Sequence, residues 1–194
     1  MHLVDTHRLC VNIARLTMLK PLGIAPSVAF HVPSERGGFL AMLAEKGQSF
    51  AFEPPHFGEG ATIGGMVAAG LSGPARASVG TVRDFVLGAR VINGKGEHLT
   101  FGGQVMKNVA GYDVSRMMAG SMGTLGVILE VSLKVLPKPV ASKTLQLGMR
   151  DPAALIVKIN EWGGQPLPIT ATAYHEGDLR VRLEGAEAAV SSAA

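Results

Sequence analysis

The chain has 194 residues, of which 47% are hydrophobic and 17% charged, so it can bury the core of one domain and part of a second. Its formal charge of +3 is small and scattered, which excludes a basic surface for nucleic acid. The single cysteine, Cys10, excludes intrachain disulfides and cysteine-rich metal centres, and it favours a reducing cytoplasm. No apolar stretch is long enough to span a bilayer, and the first residues do not predict a signal peptide.

The first 37 residues form an atypical segment. Short apolar runs alternate with His, Arg and Pro without a sustained period, and Pro21, Pro26 and Pro33 would interrupt any long helix. We predict no regular element there.

Between residues 38 and 139 the sequence predicts a mixed unit of helices and strands. The helices are expected at residues 39–46 with Gly47 as C-terminal cap, at residues 63–71 behind Thr62 as N-cap, and at residues 114–118 behind Asp113. The strands are expected at residues 49–52, 85–92, 97–101 and 127–135. Asn93-Gly94 predicts a hairpin turn, and Pro137 and Pro139 predict a domain boundary.

After the boundary, residues 140–194 follow a second pattern. We expect a strand at 143–149, a helix at 152–162, strands at 169–174 and 179–183, and a helix beginning near Glu187. This order is most of a split βαβ unit. The fold class is therefore α+β, with one nearly complete subdomain followed by the start of another.

Three glycine clusters carry the functional prediction. The first is Thr62-Ile63-Gly64-Gly65 with Gly70, Ser72 and Gly73; the second is residues 80–84; the third is residues 120–126, followed by Val127 and Ile128. Glycine turns and helix N-termini direct several N–H donors at one anion, and their lack of side chains lets a flat ring approach the backbone. These residues alone leave open whether the loops bind a nucleotide or are only turns. The dinucleotide fingerprint and the P-loop are both absent from the sequence.

Longer motifs around these clusters resemble the vanillyl-alcohol-oxidase-type family, whose members carry a PCMH-type FAD-binding domain. The matching runs are Glu53-Pro54-Pro55, residues 62–68, residues 81–88 and residues 107–128. The resemblance implies that FAD is the cofactor. The single cysteine and the spacing of the histidines predict no metal site. The resemblance also implies that the following residues line or approach the FAD: Pro55, Thr62, Ile63, Gly64, Gly65, Ser72, Gly73, Gly80, Thr81, Asp84, Gly126, Val127 and Ile128. Relatives in this family often carry Asn where this chain has Gly70.

Within the family, the motifs at residues 53–58, 105–113 and 162–169 resemble FAD-binding subunits of bacterial glycolate oxidases, with D-lactate dehydrogenases next. The resemblance implies oxidation of a small 2-hydroxy acid. It also implies a complex with a homologous flavin subunit and an iron–sulfur subunit, in the cytoplasm or held at the inner membrane by those partners. Residues 140–194 would begin a truncated ferredoxin-like cap domain. No residue is assigned as the catalytic base.

The chain departs from the family at its front. The family's leading subdomain has a Gly/Ser-rich turn that is not found in residues 1–35, and the cap domain is short. We therefore expect an incomplete chain: a fragment, a mis-assigned start or an upstream frameshift. Two alternatives follow, a non-catalytic assembly subunit or fragment that does not retain FAD, and a stand-alone D-lactate-type dehydrogenase.

Several polar residues have both structural and functional interpretations. The six histidines lack metal-ligand spacing, although His56 lies at the first flavin motif. Asp113 is expected either to cap a helix or, with Tyr112, to orient a ligand. Lys107 and Arg116 are either solvated charges or partners for an anionic flavin or carboxylate.

Overall fold

A computed structural model describes residues 15–19, 28–30, 36–58, 61–103 and 112–194. The chain divides into two compact units. One comprises the described residues up to Ser72 together with Thr81–Pro137, and the other comprises Gly73–Gly80 and Lys138–Ala194. The segment Gly73–Gly80, which the sequence places in the first subdomain, therefore groups with the second unit.

The first unit is built on a five-stranded sheet. Its strands are β1 (Arg15–Leu19), β2 (Val28–Phe30), β4 (Val86–Ile92), β5 (His98–Gly102) and β6 (Val127–Lys134), in the order β2-β1-β6-β4-β5. β1 runs parallel to β6, and the remaining neighbours are antiparallel. A separate short ladder joins β3 (Gln48–Ser49) to β7 (Leu136–Pro137).

Helices of the first unit are α1 (Arg36–Glu45), α2 (Ile63–Ala69), α4 (Val82–Phe85) and α5 (Val114–Met117). Phe39 and Leu43, one turn apart on α1, are fully buried. Four aromatic rings form a chain through this core: Phe39 and Phe50 lie 5.4 Å apart, Phe50 and Phe52 4.8 Å, and Phe52 and Phe85 5.3 Å. These rings connect α1 and α4 to the loop after β3.

The second unit contains α3 (Arg76–Val79), β8 (Ala141–Gly148), α6 (Pro152–Gly163), β9 (Ile169–His175), β10 (Asp178–Gly185) and α7 (Glu187–Ala193). The sheet order is β8-β10-β9, and β10 is antiparallel to both neighbours. β8 and β9 are therefore parallel, with β10 inserted between them. Leu179, Val181 and Leu183 alternate along β10 and pack on Leu155 of α6 and Val190 of α7.

The structure confirms most predicted elements and corrects others. The strand predicted at residues 49–52 is wrong beyond Ser49, because no described strand pairs with residues 50–52, although Phe50 and Phe52 are buried in the aromatic core. The helix predicted at residues 63–71 ends at Ala69, since Gly70 adopts φ +68° as its C-cap. Strands β1 and β2 lie in the segment for which no element was predicted.

Among the described residues, every helix is too short or too polar to cross a membrane.

Candidate functional site

The start of α2 presents backbone donors in a buried position. The Thr62 hydroxyl accepts the Gly65 N–H at 3.0 Å, and the Thr62 carbonyl accepts the Met66 N–H at 3.0 Å. This is the cap that the sequence predicts for a Thr before a helix. The N–H groups of Ile63 and Gly64 have no acceptor among the described residues, although both residues are buried. Within the part of the chain that the structure describes, the first glycine cluster thus holds two unpaired backbone donors on buried residues.

The third glycine cluster forms hydrogen bonds with the C-terminal end of α2. The Gly120 N–H donates to the Val67 carbonyl at 3.0 Å, and the Met122 N–H donates to the Ala68 carbonyl at 2.9 Å. Carbonyls in the last turn of a helix lack partners within the helix, so these two bonds satisfy them from outside. The contact is close, because a Cβ placed on Gly70 would lie 2.8 Å from both N and Cα of Gly120.

The start of β6 reaches the start of α2. A Cβ placed on Gly64 would lie 3.8 Å from the carbonyl oxygen of Ile128, an ordinary contact distance. Gly126, with φ +147°, packs against the carbonyl of Ile92, and Val127 pairs with Ile92 in the sheet. The first and third clusters, separated in sequence, are therefore neighbours in space.

Ser72 ties the first cluster to the second. Its hydroxyl accepts the Val82 N–H at 3.1 Å and donates to the Gly70 carbonyl at 3.2 Å, while its own carbonyl accepts the Glu53 N–H at 2.9 Å. Ser72 is 6% exposed, so these bonds are shielded from water. The Ser72 hydroxyl is therefore occupied by hydrogen bonds to the backbone of the two loops.

Thr81 and Asp84 close the first turn of α4. Oδ2 of Asp84 accepts the Thr81 N–H at 2.7 Å and the Thr81 hydroxyl at 2.9 Å. The backbone N–H of Thr81, followed by its hydroxyl, holds the pKa of Asp84 below its ordinary value. Asp84 therefore stabilises the loop as an N-terminal capping carboxylate.

The other predicted residues are Pro55, Gly73 and Gly80. Pro55 is exposed in the loop that follows Phe52. Gly73 and Gly80 have φ angles of +74° and +95° and belong to the second unit, where the Gly80 N–H donates to the Arg76 carbonyl. In the first unit, the structure brings together Thr62–Gly65 and Gly126–Ile128, with Ser72, Thr81 and Asp84 joined through the Val82 contact.

Two residues of the third cluster were missed by sequence reasoning. The Ser121 hydroxyl is buried and has no hydrogen-bond partner in the described part of the chain. Met122 adopts φ +52°, a conformation that favours glycine, and its apolar side chain is 73% exposed. The flanking glycines indicate a turn here, but no sequence signal places a methionine at a positive φ.

Of the remaining candidates, Asp113 and His56 have structural partners. Asp113 caps α5: its Oδ1 accepts the Ser115 hydroxyl at 2.7 Å and the Arg116 N–H at 3.3 Å, and its Oδ2 lies 3.0 Å from the Arg116 Nε. The His56 Nδ1 accepts the Gly58 N–H at 3.3 Å in an exposed loop. Tyr112 is 96% exposed, and Lys107 lies outside the described residues. Nowhere in the described ranges do three or more His, Cys, Asp or Glu side chains form a metal-binding group.

These observations fit a flavin nucleotide. Two buried N–H donors at the start of α2, side-chain-free positions at Gly64 and Gly65, and an unpaired buried hydroxyl at Ser121 supply donors beside an open backbone surface. Diphosphate oxygens and flavin carbonyls are acceptors that such donors bind.

Comparison with known proteins first defines the class. Residues 35–116 match a family described as FAD binding domain, and this range contains the first and second clusters and α2. A solved structure of alkyldihydroxyacetonephosphate synthase superposes with a TM-score of 0.63 over 80% of this chain and 34% of that one. At 19% identity, that likeness shows the fold alone. The description of the matched family names FAD as the cofactor of this domain.

Three curated relatives are similar to parts of the chain. The chain is 56% identical to the glycolate oxidase subunit GlcE of Escherichia coli over 153 residues, which is 79% of this chain and 43% of the relative. It is 42% identical over 84 residues to the glycolate oxidase subunit GlcD of Bacillus subtilis, covering 43% of this chain and 18% of that protein. A mitochondrial cytochrome-type D-lactate dehydrogenase of Arabidopsis thaliana is 34% identical over 129 residues, 65% of this chain and 22% of that enzyme. The chain thus spans less than half of the length of these relatives.

Proposed function

We propose that this chain is the FAD-binding part of a flavoprotein subunit that oxidises glycolate or a similar small 2-hydroxy acid. The observation that carries the proposal is the 56% identity with GlcE over 153 residues. The D-lactate dehydrogenases that match are 34–40% identical over shorter stretches, which favours glycolate over D-lactate as the substrate.

FAD, when bound, would take up two electrons and a hydrogen from the carbon that bears the substrate hydroxyl. In the proposal, the buried N–H groups of Ile63 and Gly64 donate to oxygens of the cofactor. Thr62 fixes those donors by capping α2, and residues 126–128 form the neighbouring wall. Ser72, Thr81 and Asp84 hold the loop between the clusters, so their contribution is to position the backbone.

We propose that residues 38–139 are the FAD-binding subdomain and that residues 140–194 begin a ferredoxin-like cap, with residues 1–37 as a separate leading segment. The support for the cap is β10, which lies between the parallel strands β8 and β9. This arrangement is the core of a split βαβ unit. The proposed origin of residues 1–37 outside the family pattern stays a prediction, and upstream sequence would test it.

The proposed partners are a homologous flavin subunit and an iron–sulfur subunit in a cytoplasmic complex. Both GlcE and GlcD are named as subunits of glycolate oxidase, and this chain resembles both. A chain with one cysteine does not supply the ligands of an iron–sulfur cluster, so electrons would leave through another subunit. Co-purification with the two subunits, and glycolate-dependent dye reduction by the complex, would test this.

The first experiment is a visible absorption spectrum of the purified chain, with the released cofactor identified by mass. We expect a flavin spectrum and FAD close to one per chain. A protein that stays colourless when FAD is added would instead support a fragment or assembly subunit that does not retain the cofactor.

Gly64→Ala tests where the cofactor lies. The added Cβ meets only Ile128 at ordinary contact distance, so the fold should persist, while a methyl group at the donor surface should weaken FAD binding at least tenfold. The matched control is Gly38→Ala in α1, where a Cβ meets nothing within 4 Å. Affinity is measured by flavin fluorescence quenching and folding by circular dichroism. Equal FAD affinity in both variants would remove the start of α2 from the site.

A further inference from the structure

A cleft in the second unit is separate from the glycine clusters. It has a volume of about 330 Å³ and lies between α3, the C-terminal end of α6 and strand β9. That volume falls within the range of small-molecule sites, roughly 300–1,000 Å³. All the lining residues belong to the same compact unit.

The lining of the cleft is uncharged and mixes apolar with neutral polar side chains. One wall carries the indole of Trp162, which also packs against the core of the unit, and other walls carry Ile159, Leu167 and Ile169. None of the residues that line it is ionisable. Two cations lie beside the lining and each has an acidic partner. The Nε of Arg182, which contacts Thr170, lies 3.0 Å from Glu184, and the Nζ of Lys158, 5.7 Å from the Trp162 ring centroid, lies 3.1 Å from Glu161. An ionised ligand would lose its hydration here without gaining a partner of opposite charge.

Several polar groups of the lining are free to bind a ligand. The hydroxyls of Ser78 and Thr172, the amide of Gln165 and the indole N–H of Trp162 make no hydrogen bond to any described residue. Thr170 differs, because its hydroxyl accepts the Arg182 Nε–H at 2.9 Å and donates to Glu184 at 2.7 Å. The cleft thus combines an aromatic face with unpaired neutral donors and acceptors, a combination that orients small ligands.

We propose that this cleft binds an uncharged, planar small molecule that packs against Trp162 and forms hydrogen bonds with Ser78 and Thr172. The site is distinct from the proposed 2-hydroxy acid site, because a carboxylate would find no cation in the lining. None of the α2 or β6 residues of the proposed FAD site lines the cleft.

Trp162 is the only tryptophan of the chain, so its fluorescence reports on the cleft directly. The purified protein, with whatever FAD it retains, is titrated with benzamide and with benzoate, which share a shape and differ in charge. We expect a saturable change with benzamide and at least tenfold weaker binding of benzoate. A linear response equal to that of free N-acetyltryptophanamide, or equal affinity for the two compounds, would overturn the proposal.

Substitutions in the lining separate binding from nonspecific quenching. Thr172→Val and Ser78→Ala should each weaken benzamide binding about 3- to 10-fold, the effect of one neutral hydrogen bond. Ala77→Leu adds bulk from exposed α3 and should abolish saturable binding while leaving the circular dichroism unchanged. Thr144→Val on β8, outside the cleft, is the control and should bind benzamide normally. Unchanged affinity in all three lining variants would contradict the site even if benzamide binds.

Discussion

Backbone conformation at single residues determines which positions of the glycine loops tolerate a side chain. Gly70 has φ +68°, a value that Asn often adopts, yet its Cα faces Gly120 so closely that a Cβ would lie 2.8 Å from that backbone. The resemblance to relatives with Asn at this position predicts tolerance. The structure predicts the opposite for this chain.

Gly70→Asn should therefore lower the free energy of unfolding by about 1–3 kcal/mol more than the same change at Gly47. Gly47 has φ +64° and open space around its Cα, so Gly47→Asn isolates the cost of the left-handed backbone. Urea denaturation of the two variants gives the comparison. Equal losses would mean that the 120–122 loop moves aside at little cost.

Met122 is the opposite of Gly70: it carries a side chain at a positive φ, a backbone conformation that favours glycine. Met122→Gly should raise the free energy of unfolding by about 0.5–1 kcal/mol, because relief of the positive φ outweighs the entropy that glycine adds to the unfolded chain. The side chain is 73% exposed, so little burial is lost. Thr124→Gly, at a negative φ in the same loop, should destabilise the protein, and thermal unfolding distinguishes the two. A loss at Met122 would show that its side chain contributes packing that outweighs the strain.

At the scale of elements, the capping of α4 makes stability depend on pH. The pKa of Asp84 lies below its ordinary 3.8, since Thr81 donates two hydrogen bonds to the carboxylate. The ionised form thus stabilises the folded state above about pH 3.8, and this contribution is lost as the pH falls through the folded pKa. Asp84→Asn should lower stability at pH 7 by several tenths to about 1 kcal/mol, because the group is solvent-exposed.

The same variant should lose less stability than the parent protein when acidified from pH 5 to pH 3. Urea midpoints across that range give the measurement. Parallel pH profiles for the two proteins would show that Asp84 is not the titrating group.

Elements with strong local signals were predicted correctly from the sequence. Strand β6 is confirmed, but the predicted alternation holds only in part: Val131 and Leu133 are at or below 1% exposure, whereas Ser132, expected to face outward, is 7% exposed. Thr62 and Asp113 cap α2 and α5 as their positions predict, because these caps depend only on residues within one turn. The hairpin at Asn93 is confirmed by its bonds to Glu97.

Elements that depend on distant contacts were missed. Phe50 and Phe52 have the composition of a strand and share one side, as residues i and i+2 of a strand do. They form none because no described strand pairs with them beyond Ser49. β1 pairs with β6 across more than a hundred residues, and no local pattern encodes that partner.

For the candidate site, the three clusters were recognisable in sequence. Two features of the site could not be predicted from the sequence, because both are tertiary contacts. They are the approach of Gly64 to Ile128 and the hydrogen bond from the Val82 N–H to the Ser72 hydroxyl.

At the scale of the whole molecule, each unit has its own apolar core, and the second contains the only tryptophan. Leu179 of β10 is fully buried in that core, so Leu179→Ala should lower the unfolding free energy reported by Trp162 fluorescence by about 2–5 kcal/mol. Leu147, its partner across the sheet on β8, is 36% exposed, and Leu147→Ala should cost about 1 kcal/mol or less. Similar losses in both variants would show that the two strands are buried alike in solution.

The close approach of Gly70 and Gly120 has a consequence for sequence divergence. A side chain at position 70 fits only if the backbone at Gly120 moves away from it. Substitutions at residue 70 and in residues 119–122 are therefore expected to arise together. A lineage that acquires a side chain at position 70 must also rebuild the loop that donates to Val67 and Ala68. The two segments therefore form one inherited block, and an exchange between homologues should transfer both or neither.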